Sequence, residues 1–338
     1  MTALTRRTAL LAAAGLLPMP ARAEVDIAAL AREAAAESGD LSWYESNPLN
    51  ALDRVITAFN RGPGARIRVR PESVPGGVGI VGRVANEAQA GGRTADLVSL
   101  GGSGVMRLKE RNLLADAGWR GLGFPESFVA EEALLTAAAL YCVIYNRNEV
   151  KPEEAPKTWE DLLHPRFRGR IGGWVRMAAF AELAFVWGEA RTTAFYDRFL
   201  QQNPMLFRST APLAQQVAAG EIAVGLGIYH TALPAIRRGA PIEIVLLDPT
   251  PVSAIWTAVT APARRPKAAK LLGAWLGTAE GARAYEQATE RGHPLLPETE
   301  TGRRVGRLTL TEWPMAQKNE YARLYDAFNA RVNESAAR

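Results

Sequence analysis

Tyr229 and His230 place a phenol beside an imidazole at the end of an apolar, glycine-rich run, "AVGLGIYH". Both side chains ligate metals, and both also contact organic ligands. Adjacent residues on a strand point to opposite faces, so both reach one ligand only where the strand has ended. Four other turns carry comparable chemistry. "WYES" ends in Tyr44, Glu45 and Ser46, and Glu45 follows an apolar strand, where a carboxylate is costly unless exposed or paired. "GGSG" includes Gly102 and Ser103; glycine lets backbone approach a ligand, and Ser103 offers a capping hydroxyl. "GGWVR" carries Trp174, a stacking wall or a core residue, and Arg176. "RST" supplies Arg208, Ser209 and Thr210. Arg176 and Arg208 can clamp a carboxylate or phosphate bidentately, and each also reads as an ordinary surface charge.

Several chemistries are poorly supported. Position 105 is Val, so "GGSG" is not the G-x-S-x-G elbow of serine hydrolases. No H-E-x-x-H, C-x-x-C or Walker pattern occurs. Cys142, the only cysteine, lies inside the apolar run "LYCVIYN", which favours a buried inert thiol over a nucleophile. His164 and His293 each precede proline in turn-like segments and read as surface residues.

The elements that must position these turns follow from periodicity. Apolar residues at helical spacing mark 49–61 (Leu49, Leu52, Val55, Ile56, Phe59) and the stretch near 78–90. "LSWYES", "ARIRVRPES" and "ADLVSLGG" read as strands, the last fully apolar as buried parallel strands are. In "RIRVR" the alternation predicts a strand with a solvated basic face. This βαβαβ order predicts a doubly wound parallel sheet. A long apolar strand near 140–146 and another near 253–260 break the alternation and cross between two such units. The expected fold is therefore α/β, with two doubly wound lobes joined by two crossing strands and a ligand cleft between them. The expected boundaries are 24–140 plus 255–338 for the first lobe and 141–254 for the second. In open α/β sheets ligands sit beyond the carboxyl ends of the strands, near helix N-termini, where unpaired N–H groups favour anions. That rule is what ranks the five turns above all other positions.

Residues 1–23 read as a secretory signal: a basic pair, an apolar run from Thr8 to Leu17, and "ARA" before Glu24. "TRRTALL" resembles a twin-arginine signal, and an ordinary basic n-region gives the same pair. Cleavage removes Arg6, Arg7 and Arg22 with no acid, lowering the net charge from +5 to +2. No basic block remains to suggest nucleic acid.

The chain resembles the periplasmic substrate-binding proteins of ABC importers, in the type II fold that includes the ferric-binding proteins. The resemblance rests on "WYESNPLNALDRVITAFN", "GRTADLVSL", "VIYNRNEV", "APKTWEDLLHPRFRGRI", "VAAGEIAVGL" and "PARRPKAAKLLGAWLGTAEGARAY", in that order across nearly the whole mature chain. It implies a monomeric periplasmic receptor without a resident cofactor, closing on a small molecule and delivering it to ABC permease membrane subunits. Ferric-binding relatives use a Tyr-Tyr pair at the place of Tyr229 and His230; here the second is His. Fe³⁺ prefers anionic oxygens, which Tyr229, Glu45 and Tyr44 offer, while His is a softer donor and Arg176 opposes a trivalent cation. A small organic ligand with an anionic group is the preferred expectation, and a ferric ion the alternative. A third reading, an enzyme on the same fold as in thiaminase I, would use Cys142 as nucleophile.

Overall fold

The computed structural model describes residues 25–176 and 178–336, so the expected signal segment lies outside the described residues. Its strands are β1 (Leu41–Glu45), β2 (Val69–Ser73), β3 (Leu97–Leu100), β4 (Val129–Ala130), β5 (Ala133–Asn146), β6 (Ile171–Trp174), β7 (Met205–Phe207), β8 (Val224–Ile228), β9 (Ile242–Val245), β10 (Thr250–Val259) and β11 (Leu310–Thr311). Its α-helices are α1 (Ile27–Ala34), α2 (Leu49–Arg61), α3 (Gly76–Gln89), α4 (Gly102–Lys109), α5 (Ala178–Trp187), α6 (Glu189–Gln201), α7 (Thr210–Ala219), α8 (Tyr229–Arg237), α9 (Pro266–Leu276), α10 (Ala279–Thr289), α11 (Glu300–Val305) and α12 (Lys318–Ala336).

The main sheet path runs β2-β1-β3-β10-β5-β8-β6-β7. β1, β2 and β3 are parallel, as are β6, β7 and β8. β10 and β5 join the two parallel groups and pair antiparallel to each other, from Val252 opposite Leu140 to Thr257 opposite Leu134. β1 and β3 are buried along their whole length, which fits strands covered by helices on both faces. On one face α2 presents Leu52, Val55, Ile56 and Phe59 to a core shared with α9 and α10; on the other, α3 and α4 bury Ile80, Val84, Val105 and Leu108. The second group is sandwiched in the same way, by α5 and α6 on one side and α7 and α8 on the other. This is the two-lobed type II architecture.

The basic stretch behaves as expected: Ile67 and Val69 are buried while Arg66, Arg68 and Arg70 are exposed. Asp40 pairs with Arg68 and Arg70. The end of the chain departs from expectation. α9 and α10 pack on the first lobe, but α12 inserts Leu324, Phe328 and Val332 into the core of the second. Phe328 meets Tyr196 at 5.5 Å between ring centroids and Phe180 at 6.4 Å, so an aromatic socket outweighs sequence proximity.

Where the lobes join stand two acids, Glu182 buried and Glu312 half-buried. Glu312, after β11, accepts the Ala254 N–H and the Trp256 Nε1–H at 3.3 Å each, beside the middle of β10. Glu182 on α5 accepts the Trp313 N–H at 2.7 Å. Burial pushes Glu312 up to about 7 against the pull of its two donors, and burial plus the Glu312 charge raises Glu182 well above the usual range. A carboxyl raised by folding stabilises fully below its unfolded pKa of about 4.3 and loses that contribution as pH rises through its folded value. Glu312→Gln, which mimics the neutral acid, is therefore expected to flatten the fall in melting temperature between about pH 5 and 8. The gain at the alkaline end should be roughly 2–4 °C per kcal/mol of penalty relieved. Thermal melts across that range check it.

Candidate functional site

Because β1 and β3 run parallel, their carboxyl ends emerge together at one edge, delivering Glu45–Ser46 and Gly101 to the same place. β10 and β5 pass beneath and contribute Ser253, Ala254, Ile255 and Ala139. Together with the starts of α3 and α4 these residues enclose a cavity of about 170 Å³, whose wall also carries Arg291. The parallel β6, β7 and β8 send Trp174, Arg208 and Tyr229–His230 out of one edge of the second lobe in the same manner.

Arg291 was not legible in the sequence, yet it joins the two lobes. Its Nη1 lies 4.0 Å from Glu45 Oε1, and its Nε and Nη2 each lie 3.4 Å from His230 Nε2. Its loop, after α10, is pinned on both sides of the arginine's neighbour. The Gly292 carbonyl accepts the Ala138 N–H of β5 at 2.9 Å, and His293 is fully buried with its ring 4.3 Å from Phe128. His293 is therefore not the surface residue expected from its turn-like context; its apolar ring fills the core and burial lowers its pKa to about 3. A Cβ at Gly292 would fall 2.0 Å from Glu286 Oε1 and 2.4 Å from Thr301 Oγ1, so a larger residue there must displace both.

Glu45 is 1% exposed, not a solvated turn carboxylate. Its oxygens accept the Asn47 N–H, the Tyr285 hydroxyl at 3.3 Å and the Ser46 hydroxyl at 3.4 Å. Donors and a guanidinium favour its ionised form, while burial is the larger influence and raises its pKa. His230 is held neutral: burial first, then the Arg291 charge, lowers its pKa to about 3. Since Arg291 can only donate, His230 Nε2 is the acceptor and the proton sits on Nδ1.

The remaining turn residues divide. Tyr44 faces away from the cavity: its hydroxyl donates to Glu87 at 2.9 Å and Arg83 lies 4.3 Å over its ring. The period of the strand, which turns Glu45 to one face, turns Tyr44 to the other. Tyr229 is likewise 2% exposed and donates to Glu300 of α11 at 2.9 Å, with Arg304 at 5.3 Å from its ring. The pair at 229–230 therefore does not converge. Gly101, not Ser103, is the N-cap of α4; Ser103 is exposed on its first turn. Gly102 is buried against Trp313, whose ring carbon would lie 3.2 Å from an added Cβ. On the second lobe, Trp174 is half-buried and donates its Nε1–H to the Arg208 carbonyl at 3.2 Å. Arg176 lies 5.7 Å from the Trp174 ring. Arg208 and Ser209 are exposed and Thr210 is buried. Among the described residues neither Arg176 nor Arg208 has a carboxylate partner.

Cys142 sits in β5 at 3% exposure, and burial pushes its thiol well above the usual range. Burial of this kind disfavours the thiolate that nucleophilic attack needs. Among the described residues no three His, Cys, Asp or Glu side chains gather as a metal site, and no helix is long and apolar enough to cross a membrane. A thiol reagent is expected to label Cys142 only on unfolding; stoichiometric labelling of the native protein would restore the nucleophile reading. Tyr229→Phe is expected to cost about 1 kcal/mol of stability through the lost Glu300 bond, measured by denaturant melts, and to leave ligand affinity unchanged.

Similarities to known proteins agree with this geometry. Residues 43–288 match the family described as "Bacterial extracellular solute-binding protein". An uncharacterized protein of Haemophilus influenzae is 28% identical over 150 residues, and that match spans 42% of each chain. Iron-bound HitA from Pseudomonas aeruginosa superimposes with a TM-score of 0.69 at 15% identity, over 87% of this chain and 99% of that one. A substrate-binding protein of an ABC transporter from Agrobacterium tumefaciens gives 0.70 at 17%, over 88% and 95%. AfuA from Actinobacillus pleuropneumoniae, solved with fructose-6-phosphate, gives 0.66 at 17%, over 88% and 99%. At these identities the likeness is one of fold. The family match covers most of the chain, and with the two-lobed sheet it establishes that the protein belongs to the bacterial extracellular solute-binding protein family, in the type II periplasmic-binding-protein fold.

Proposed function

We propose that this protein captures a small organic solute bearing an anionic group in the cleft between its lobes and delivers it to the membrane subunits of an ABC importer. The lobes close by hinging on β5 and β10, and capture takes place in the periplasm after export. The observation that carries the reading is Arg291, a guanidinium on the wall of the cleft cavity that also touches His230 of the opposite lobe. Glu45 acts as its positioning partner rather than as a metal ligand. Trp174, Arg176 and Arg208 would meet the solute from the second lobe. The Cys142 enzyme reading has no support from a thiol so deeply buried.

The same arginine weighs against iron. A trivalent cation between Glu45 and His230 would lie beside a fixed positive charge, and His230 Nε2 already accepts from Arg291. HitA holds iron, so a ferric ion remains the reading to be tested against.

The mature chain, residues 24–338, should be colourless as purified, and small organic anions should raise its melting temperature by mass action. Ferric citrate should not act beyond citrate alone. Arg291→Gln should weaken the best anion at least tenfold, about 1.4 kcal/mol, by calorimetric titration. A visible tyrosinate-to-iron band, or full affinity in Arg291→Gln, would overturn the reading.

A further inference from the structure

The donors on the cavity wall arrive from separate directions. α3 opens at Gly76–Gly77 and α4 follows Gly101, so two helix starts abut one cavity. The opening N–H groups of a helix have no partner within it. Neither start has a side-chain cap, because the cap residues are Pro75 and Gly101. Ser46 and Ser253 add hydroxyls, and Ser46 is committed only to a 3.4 Å contact with Glu45. Arg291 adds a guanidinium that lies 3.4 Å from His230 Nε2 and 4.0 Å from Glu45 Oε1 and also reaches the Tyr285 hydroxyl. Glu45 is the one carboxylate on the wall, and it is already met by Asn47, Tyr285 and Arg291.

Resting on the anion reading above, we infer that the captured solute is an organic phosphate monoester whose phosphoryl group seats in this first-lobe cavity. A carboxylate has two oxygens in one plane and is satisfied by a single arginine fork. Here a guanidinium, two uncapped helix starts and two hydroxyls line one space, more donors than the two oxygens of a carboxylate can meet. A phosphoryl group brings three strong acceptor oxygens and a charge of about −1.5 to −2. The cavity, about 170 Å³, is smaller than the ~300–1,000 Å³ of pockets that enclose whole ligands. It therefore takes one terminal group, and the body of the solute extends toward Trp174 and Arg176 on the second lobe.

The test compares matched probes on the mature chain by calorimetric titration and thermal shift: glycerol 3-phosphate against glycerate, glucose 6-phosphate against glucuronate, and inorganic phosphate alone. The expected result is that a phosphate ester binds at least tenfold more tightly than its carboxylate counterpart and that inorganic phosphate competes with it. Ser46→Ala and Ser253→Ala should each weaken the ester severalfold. Ser253 is exposed, so its variant keeps the test valid should Ser46→Ala fold poorly. Carboxylates binding as tightly as phosphates would overturn the phosphoryl assignment and leave the organic-anion reading standing. Binding of neither class, with stabilisation by ferric ion or by cationic solutes, would overturn both.

Discussion

The antiparallel pairing of β5 with β10 is the constraint on which the molecule depends. Their ladder runs from Val252–Leu140 to Thr257–Leu134 and carries β3 on one flank and β8 on the other. Each lobe therefore grows outward from the same two strands. The strands also floor the cavity with Ala139 and Ser253–Ile255.

Beside that ladder lie the buried charges. Where β3 ends, the Ala254 N–H would be left without a strand partner; Glu312 accepts it. Above the ladder, Arg291 stands between Glu45 and His230, and none of the three is simply solvated. A buried carboxylate survives when donors surround it, and a buried imidazole beside a guanidinium survives as the neutral tautomer. The arrangement leaves the Arg291 guanidinium on the cavity wall beside a neutral imidazole.

Much of this was legible beforehand. The alternation of strand and helix, the two long apolar strands and the export-like N-terminus give the architecture, because hydrophobic period and turn chemistry are local properties. The five strand-to-helix turns lie at the carboxyl ends of their strands, since parallel strands must send those ends the same way. Direction was harder. Tyr44 and Tyr229 stand one residue from Glu45 and His230, yet their hydroxyls bond Glu87 and Glu300 on the far sides of the sheets. A one-residue difference decides the face, and no local pattern states which face the cleft will take.

Sequence alone, then, determined the order of the elements, the family likeness and the edge at which the strand-to-helix turns gather. Only the tertiary structure decided which side chains occupy that edge. Arg291 comes from a loop 246 positions beyond Glu45 and carries no local signature. It reaches the cleft because Gly292 bonds β5 and His293 is drawn into the core beneath it. α12 likewise crosses to the second lobe because the socket around Phe180 and Tyr196 accepts Phe328. Both outcomes depend on long-range packing, and packing is a property of the assembled core rather than of any window of sequence.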